Sequence, residues 1–457
     1  MTRIPTALLV ILSAISLPLG AQDRRPCEIV ITGVARGRDT TRVRSVTSGT
    51  GARSMYIGGI VDATCQGQGN RLQADSAEHF TDRGLLILYD NVRYTEPRMT
   101  MTSDRMFYYT DEERIVAEGN VRGRSASGTR FAGPQIEFFR AKPGVREESS
   151  WIATGRPFVR MSPSETRGSD APGPESAADS TDLTANRVVS RNDSLVWASG
   201  AVVIEREDMR ATADSATIDN GIEFAKLMRD PQVVGKGERP FALDGVVIET
   251  WSRERVLQRV VAVDSARAVS DSLTLTADTI DLRMSEQRIE RIYSWGGRAN
   301  ADAPAQRIEA DSMEIRMPDQ TLDEVRAVGR AQAWSRVDTS RVVTGEMDWI
   351  AGDTIVARFE AVKDSAGAET SRMREVTAVG SARAFYQVPP SGGARGAPNL
   401  SYNRGRVIRV LFETGEMSTV TVTDQASGIY LEAPPPPAPP TAPPTVTDTA
   451  AARGRRP

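Results

Sequence analysis

The sequence predicts an all-β fold of stacked, bent antiparallel strands, built from repeats of about 30 residues. A phrase centred on Asp or Asn recurs along the chain, and an apolar phrase containing Gly falls between its copies. Within both phrases apolar residues alternate with period two, which is typical of strands rather than helices. Two strand-like phrases joined by polar turns predict one β-hairpin per repeat.

The first residues of the chain have the pattern of a secretory signal peptide, assigned to residues 1–21. Arg3 supplies the positive charge, residues 7–17 form the apolar run, and the small Ala21 ends the segment. The run is short for a membrane-spanning helix, and an uncleaved anchor is the alternative. We therefore expect an exported, soluble mature chain.

Both cysteines of the chain lie in the following segment, residues 22–66. Cysteines of exported proteins usually pair, so we expect Cys27 and Cys65 to form a disulfide that closes this N-terminal segment. Two buried free thiols are the alternative.

The repeats are predicted over residues 67–162 and again over 183–432, where the last hairpin turns at Thr414 and Gly415. Residues 163–182 are polar and contain Pro and Gly, which predicts a linker or long loop. Residues 433–457 are rich in Pro, Ala and Thr and are predicted to be an extended, disordered tail.

The Asp phrase has a change of parity at its centre. Before Asp311 the apolar Ile308 has an even number, whereas after it the apolar Met313 and Ile315 have odd numbers. The alternation of apolar residues therefore shifts by one position at the aspartate. Because side chains alternate between the faces of a strand, such a slip requires a bulge or corner to keep one face inward. We predict a bend at each recurrent aspartate, namely Asp75, Asp104, Asp214, Asp278 and Asp311. Weaker copies are expected at Gly133 and Glu346.

The recurrent aspartates have three possible roles. A column of carboxylates could bind calcium, but the short Gly-rich turns of calcium-binding β-repeats are missing from the sequence. A pair of acids could cleave a polysaccharide, but nothing singles out one pair. Hydrogen bonding to nearby backbone at the bend is the interpretation that the sequence favours.

The alternating apolar residues predict either a filled core or a groove for acyl chains. Many are methionines separated by alanines, a composition that adapts to irregular apolar partners. The candidates for an apolar trough are Met99, Met101, Met106, Ile115, Met209, Leu273, Leu275, Ile280, Leu282, Met284, Ile308, Met313, Ile315 and Met317.

The composition argues against several classes of function. A single histidine, His79, and two cysteines leave little for His- or Cys-based zinc sites and catalytic triads. With 57 basic and 60 acidic residues, the chain lacks the basic excess of nucleic-acid binders. We expect no enzyme activity, cofactor or metal. The rivals are an exported β-repeat scaffold or adhesin with a filled core, and a polysaccharide-active enzyme using carboxylates alone.

Several phrases resemble a known family. QADSAEHF at residues 73–80 is followed by VAEGNVRG at 116–123, and EADSMEIR at 309–316 by AVGRAQAW at 327–334. TADSATID at 212–219 and TADTIDLR at 276–283 repeat the first phrase. Their order resembles the LptA/OstA family of lipopolysaccharide-transport proteins over roughly residues 67–385, the linker excepted.

The resemblance implies an elongated, open β-jelly roll that holds the acyl chains of lipopolysaccharide, or a related lipid, between two sheet halves. It also implies a periplasmic location, with association with the outer membrane as an alternative, and a bridge between inner and outer membrane. Partners would be other lipopolysaccharide-transport proteins joined by strand addition, with possible head-to-tail self-association. The chain departs from a single-domain member in its number of repeats, its disulfide-closed head, its linker and its Pro-rich tail.

Overall fold

A computed structural model describes residues 28–33, 35–36, 39–66, 69–161, 180–237, 239–270, 273–363, 369–390 and 395–433. The predicted signal peptide, Cys27, nearly all of the predicted tail and most of the predicted linker lie outside these residues. The described part consists of β-strands, two short 3₁₀ turns (Thr81–Arg83 and Pro318–Gln320) and loops, without an α-helix. The all-β prediction is confirmed.

The chain forms two compact units, residues 1–207 with 212–225 and residues 208–211 with 226–457. The strands of the first unit are β1 (Glu28–Gly33), β2 (Ala35–Arg36), β3 (Asp39–Thr40), β4 (Arg42–Thr47), β5 (Arg53–Gln66), β6 (Arg71–Phe80), β7 (Leu85–Glu96), β8 (Met99–Tyr109), β9 (Arg114–Ser125), β10 (Arg130–Phe139), β11 (Ser150–Thr154), β12 (Phe158–Met161), β13 (Thr181–Thr184), β14 (Arg187–Arg191) and β15 (Leu195–Glu205).

The chain passes from one unit to the other within β16 (Met209–Asp219) and β17 (Phe224–Met228). The second unit continues with β18 (Gln232–Gly235), β19 (Phe241–Asp244), β20 (Val247–Arg253), β21 (Val256–Val269), β22 (Thr274–Ser285), β23 (Arg288–Ala303), β24 (Gln306–Arg316), β25 (Glu324–Ser335), β26 (Asp348–Lys363), β27 (Glu369–Val388), β28 (Asn399–Glu413), β29 (Glu416–Thr423) and β30 (Ser427–Leu431).

In the first unit, each long strand contributes to two half-sheets. Antiparallel pairing runs from β5 through β10 in chain order. At either end the long strands are replaced by separate halves: β4 and β1 both pair with β5, and β11 and β12 both pair with β10. We call the half that contains β4, β11 and β14 half-sheet A, and the half that contains β1, β12 and β13 half-sheet B.

The second unit repeats this plan. Strands β21 to β28 pair antiparallel in chain order. The strands β20 and β19 both pair with β21, and β29 and β30 both pair with β28. Half-sheet A of this unit contains β20 and β29, and half-sheet B contains β19 and β30.

Buried side chains follow the parity change that the sequence predicts. In β24, Ile308 and Ala310 are buried before Asp311, and Met313 and Ile315 are buried after it. The register of β24 against β23 and against β25 shifts at the same place. The slip therefore lies between the two half-sheets and keeps one face of both directed into the core.

Two sequence expectations differ from the structure. The predicted linker extends to residue 182, but β13 already begins at Thr181. Thr181 is buried, and Asp182 pairs with Arg160 of β12 at 2.6 Å.

The prediction of a weak repeat copy at Glu346 is wrong. Glu346 lies in a loop, where its amide donates to Thr344, and the equivalent bend residue is Asp353 of β26.

Candidate functional site

A cavity of ≈ 590 Å³ lies between the two half-sheets of the second unit. Half-sheet B contributes Phe241 and Leu275 to its lining, and half-sheet A contributes Leu282 and Ile292. The volume is within the range of about 300–1,000 Å³ that is usual for small-molecule sites. The cavity is therefore an internal space of the β-fold and large enough for a ligand.

Five of the predicted trough residues line this cavity. They are Leu273, Leu275, Leu282, Met284 and Met317. Leu273 and Met317 lie just outside β22 and β24 and are half-buried, whereas the other three are buried. Leu273 and Met317 therefore expose apolar surface beside the cavity that an apolar ligand could cover.

The rest of the predicted trough residues do not line this cavity. Ile308 lines a smaller cavity of ≈ 120 Å³ in the same unit, together with Met373, Phe412 and Met417. Gln306 lines both cavities, so they are neighbours in the interior of the unit. The other candidates of the second unit are buried in its core: Met209, Ile280, Met313 and Ile315.

Sequence reasoning missed several lining residues of the large cavity. Ile289 and Ile292 belong to the strand of the Gly phrase but have opposite parity, and a register shift between β22 and β23 brings both to the cavity. The period-two pattern could therefore mark only one of them. Phe359 was not recognised as an inward residue because the bend of β26 was predicted at Glu346 instead of Asp353. Phe241 lies in a short strand that carries neither repeat phrase, so no sequence signal marked it.

Polar groups at the ends of the strands hold the two half-sheets of this unit together. The Asp208 carboxylate accepts a hydrogen bond from the Leu257 amide at 3.1 Å, and the Arg239 guanidinium donates to the Gln320 carbonyl at 2.6 Å. Asp208, Arg239 and Gln320 also line the large cavity. The cavity thus combines an apolar interior with a small number of polar groups, the usual pattern of a ligand site.

In the first unit, most of the predicted trough residues are packed in the core instead. Met101, Met106 and Ile115 are at most 1% exposed, so these trough candidates are core residues. The rings of Phe131 and Trp151, which belong to half-sheets B and A, pack at 5.2 Å between centroids. Met99 lines a smaller cavity of ≈ 210 Å³.

A buried ion cluster closes the seam of the first unit. Arg140, which follows half-sheet A and is 5% exposed, donates to Glu96 at the end of half-sheet B at 2.9 Å and also to Glu113. It reaches Asn70 at 3.2 Å as well. Tyr94 donates to Glu96 at 2.9 Å, and burial raises the pKa of the Tyr94 hydroxyl well above its ordinary value. The cluster therefore joins the two half-sheets through buried ion pairs and hydrogen bonds.

The recurrent aspartates lie on the outside of the bends. The left-handed backbone sits on the facing strand, at Gly119 (φ 74°) and Asn120 (φ 47°) opposite Asp104. The Asn120 side chain donates to the Asp104 carboxylate at 2.8 Å. The aspartate therefore holds the bulge of its neighbour, which refines the prediction that each strand bends at its own Asp.

The same arrangement recurs along both units. Asp75 accepts from Asn91 at 2.7 Å, and Asp311 accepts from Arg330 at 3.0 Å. Asp278 lies against the glycine pair Gly296–Gly297. Asp214 lies in β16 and is exposed. These contacts agree with the structural role that the sequence favours for the aspartates.

Cys65 is disulfide-bonded, and the described residues contain no free cysteine. Its predicted partner, Cys27, lies outside the described residues. Cys65 is 3% exposed, and its sulfur lies 3.8 Å from the Tyr108 hydroxyl. Among the described residues, no group of three or more His, Cys, Asp or Glu side chains is arranged to hold a metal ion.

No protein-family model matches the chain, and no curated protein matches it. The part of the chain that the structure describes also contains no helix with the length and apolarity needed to cross a membrane.

Proposed function

We propose that this chain is an exported, lipid-carrying protein of the lipopolysaccharide-transport type. It takes acyl chains of lipopolysaccharide, or of a related lipid, into the interior of its second unit. The observation that carries the proposal is the ≈ 590 Å³ cavity between two half-sheets, lined by Leu275, Leu282 and Met284 among the residues that the repeat pattern marked.

Acyl chains fit this site on energetic grounds. Each methylene moved from water into an apolar environment contributes about 0.8 kcal/mol. A chain of several methylenes in the cavity therefore binds tightly without any reacting group. The half-buried side chains of Leu273, Ile289 and Met317 would lose their remaining contact with water on binding.

Exposed strands support the second part of the proposal, that neighbouring proteins join by strand addition in the periplasm. All six residues of β4 are exposed, as are all five of β30. In β30, Ile429 and Leu431 are 61% and 57% exposed. An edge strand with exposed apolar side chains is a template for pairing with another chain. Other transport proteins of the same pathway, or a second copy joined head to tail, are the proposed partners.

Two positions of the second unit test lipid uptake. A photo-crosslinking amino acid replaces Met284 of β22, which lines the cavity, or Asp302 of β23, an exposed residue on the outer face of half-sheet B. Each protein is incubated with purified lipopolysaccharide and irradiated, and adducts are detected by gel shift and mass spectrometry. We expect lipid adducts at position 284 and none at position 302.

A third position adds a control for a buried but filled interior. The same amino acid at Met101 of the first unit, a residue that is 1% exposed, is expected to give no lipid adduct. Equal adducts at positions 302 and 284, or none at 284 in a folded protein, would contradict lipid uptake by the second unit.

The packed core residues of the first unit and its buried ion cluster favour a second candidate function, an exported scaffold or adhesin that binds protein partners. Buried ion pairs of Arg140 with Glu96 and Glu113 join the two half-sheets of that unit, as expected for a rigid scaffold. The two candidates differ in the second unit, since a scaffold has no use for an apolar cavity. Failure of the crosslinking at Met284 would leave the scaffold as the better account.

A further inference from the structure

The outer face of half-sheet A in the second unit carries four arginines on four adjacent strands. Register places each directly opposite the next along β21, β22, β23 and β24, in the order Arg259, Arg283, Arg291, Arg316. Adjacent strands are about 4.8 Å apart, so the guanidinium groups form a close row. Like charges directly opposite each other in a sheet are destabilising.

The continuation of the same row shows how this sheet otherwise arranges charge. Beyond Arg316 the register continues with Glu324, Arg358 and Glu375, in which the sign alternates from strand to strand. Arg358 pairs with both of these glutamates at 3.2 Å. The four consecutive arginines thus depart from the alternating pattern that stabilises the rest of the row.

Two carboxylates face the four guanidinium groups. Asp281 accepts from Arg259 at 2.9 Å and from Arg283 at 3.0 Å. Glu314 lies 3.1 Å from Arg316 and 3.9 Å from Arg291. Among these ion-paired groups the excess is two positive charges, and Glu249 and Glu290 also act electrostatically on Arg259 and Arg291. Glu249, the next acid along the sheet, is paired with Lys226 at 2.9 Å.

The arginine side chains remain accessible. Their exposed fractions are 37% for Arg259, 50% for Arg283, 52% for Arg291 and 43% for Arg316. Each guanidinium thus has donors available to a partner outside the sheet.

Apolar side chains are exposed on the same face. Trp295 shares the outer face of β23 with Arg291 and is 42% exposed. In the register row of Trp295, Val328 and Val379 are 42% and 40% exposed. The arginines and these apolar residues share one face and are separated by the register row of Asp281, Tyr293 and Glu314. Cations and exposed apolar groups on one face are typical of a surface that meets the interface of a bilayer, where tryptophan is enriched.

We propose that this face of the second unit docks on the anionic phospholipid surface of a membrane. The arginine row meets lipid phosphates, and Trp295, Val328 and Val379 enter the interfacial layer. The contact uses the outside of the sheet, so it is independent of lipid uptake into the cavity. It holds the carrier against a membrane while the interior remains free.

Vesicle flotation with the full chain tests this proposal. Vesicles of phosphatidylglycerol and phosphatidylcholine are compared with vesicles of phosphatidylcholine alone. The wild type is expected to float with the anionic vesicles only, and to be released at about 1 M salt, where the screening length falls to about 3 Å. The double variant R283Q/R291Q is expected to bind the anionic vesicles about thirtyfold more weakly, from the contribution of each basic residue near an anionic surface.

The matched control R93Q/R122Q removes two exposed arginines that face the same strand, β8, in the first unit. It should bind as the wild type does. Circular dichroism and thermal unfolding check that the R283Q/R291Q variant is folded. We expect it to fold because Asp281 retains its ion pair with Arg259 and Glu314 retains its ion pair with Arg316.

Three outcomes would overturn membrane docking: no binding of the wild type to anionic vesicles at low salt, undiminished binding by R283Q/R291Q, or an equal loss in R93Q/R122Q. Binding of heparin by the wild type without vesicle binding would also overturn it, in favour of a soluble polyanion. Because the crosslinking at Met284 uses the cavity, its result can fail or succeed separately from this one.

Discussion

At the scale of single residues, Asp348 is a carboxylic acid whose surroundings shift its pKa by a large amount. It lies at the start of β26 beside the smaller cavity of the second unit. Burial raises the pKa of its carboxyl to about 6. Hydrogen bonds at 3.0 and 3.2 Å from the backbone and side-chain amides of Gln387 oppose this shift but do not cancel it.

The sign of the resulting pH dependence follows from proton linkage. Between the ordinary pKa of 3.8 and the raised value of about 6, the folded protein binds more protons at Asp348 than the unfolded chain does. The contribution of this residue to the free energy of unfolding therefore falls as pH rises through this window. The shift corresponds to about 2–3 kcal/mol.

Asp348→Asn should remove the loss of unfolding free energy that ionisation of Asp348 causes at higher pH. The amide oxygen still accepts from Gln387, and the side chain no longer ionises, so the variant is expected to be more stable than the wild type above pH 6 by about 1–3 kcal/mol. Urea unfolding at pH 4 to 8 measures it. Asp82→Asn, at an exposed site, is the control and should follow the wild-type pH profile. Parallel profiles for Asp348→Asn and the wild type would contradict the prediction.

At the scale of elements, the bulges between the half-sheets are the feature that repeats. Several join a left-handed, Gly-containing pair on one strand to an Asp or Asn on the preceding strand, as with Gly119 and Asp104, whereas the pair opposite Asp75 is Asp90–Asn91. At Gly119 the left-handed φ of 74° already disfavours a side chain, and an added Cβ would come within 2.9 Å of Asp104 Cβ. Glycine is required here by both conformation and space.

Gly119→Ala should therefore destabilise the first unit by about 2–3 kcal/mol, from backbone strain and the contact with Asp104 together. Gly49→Ala is the matched control, because the added methyl meets nothing within 4 Å and the residue lies in a turn. It should change stability by less than about 0.5 kcal/mol. Equal thermal shifts for the two variants would show that the bulge does not depend on glycine.

The sequence predicted where these bulges lie but not which strand carries the extra residues. The parity slip around Asp311 was readable because apolar residues change phase there. The recurring glycines at 119, 200, 296, 329 and 380 marked the partner strand, and all have positive φ. The linker boundary and the Asp353 bend were missed because loops there change the spacing on which the repeat argument relies.

At the scale of whole units, the same repeat yields two different interiors. The first unit buries Arg140 with Glu96 and Glu113 across its seam, whereas the second unit keeps an apolar cavity of ≈ 590 Å³. A buried charge is tolerated only while its partners are present, so the closure of the first unit depends on Arg140.

Arg140→Ala is expected to lower the stability of the first unit by about 3–5 kcal/mol, because two buried carboxylates lose their partner. Arg83→Ala, which breaks an exposed pair with Asp82, should cost about 0–1 kcal/mol. Adding Glu96→Gln and Glu113→Gln to Arg140→Ala should restore part of the loss. Urea unfolding compares the variants. An Arg140→Ala protein as stable as the Arg83→Ala protein would mean that the ion cluster does not hold the seam.

The sequence by itself determined the all-β class, the strand phrases, the phase change at each bend and which side chains face inward, because these depend on local alternation that each strand carries in its own residues. Only the tertiary structure decided which inward residues pack and which line a space. Met101 and Met284 look alike in sequence, yet one is core and the other lines the large cavity. The surroundings of an inward side chain depend on contacts between residues far apart in the chain, such as Arg140 with Glu96 in one unit and Arg239 with Gln320 in the other, which local alternation does not encode.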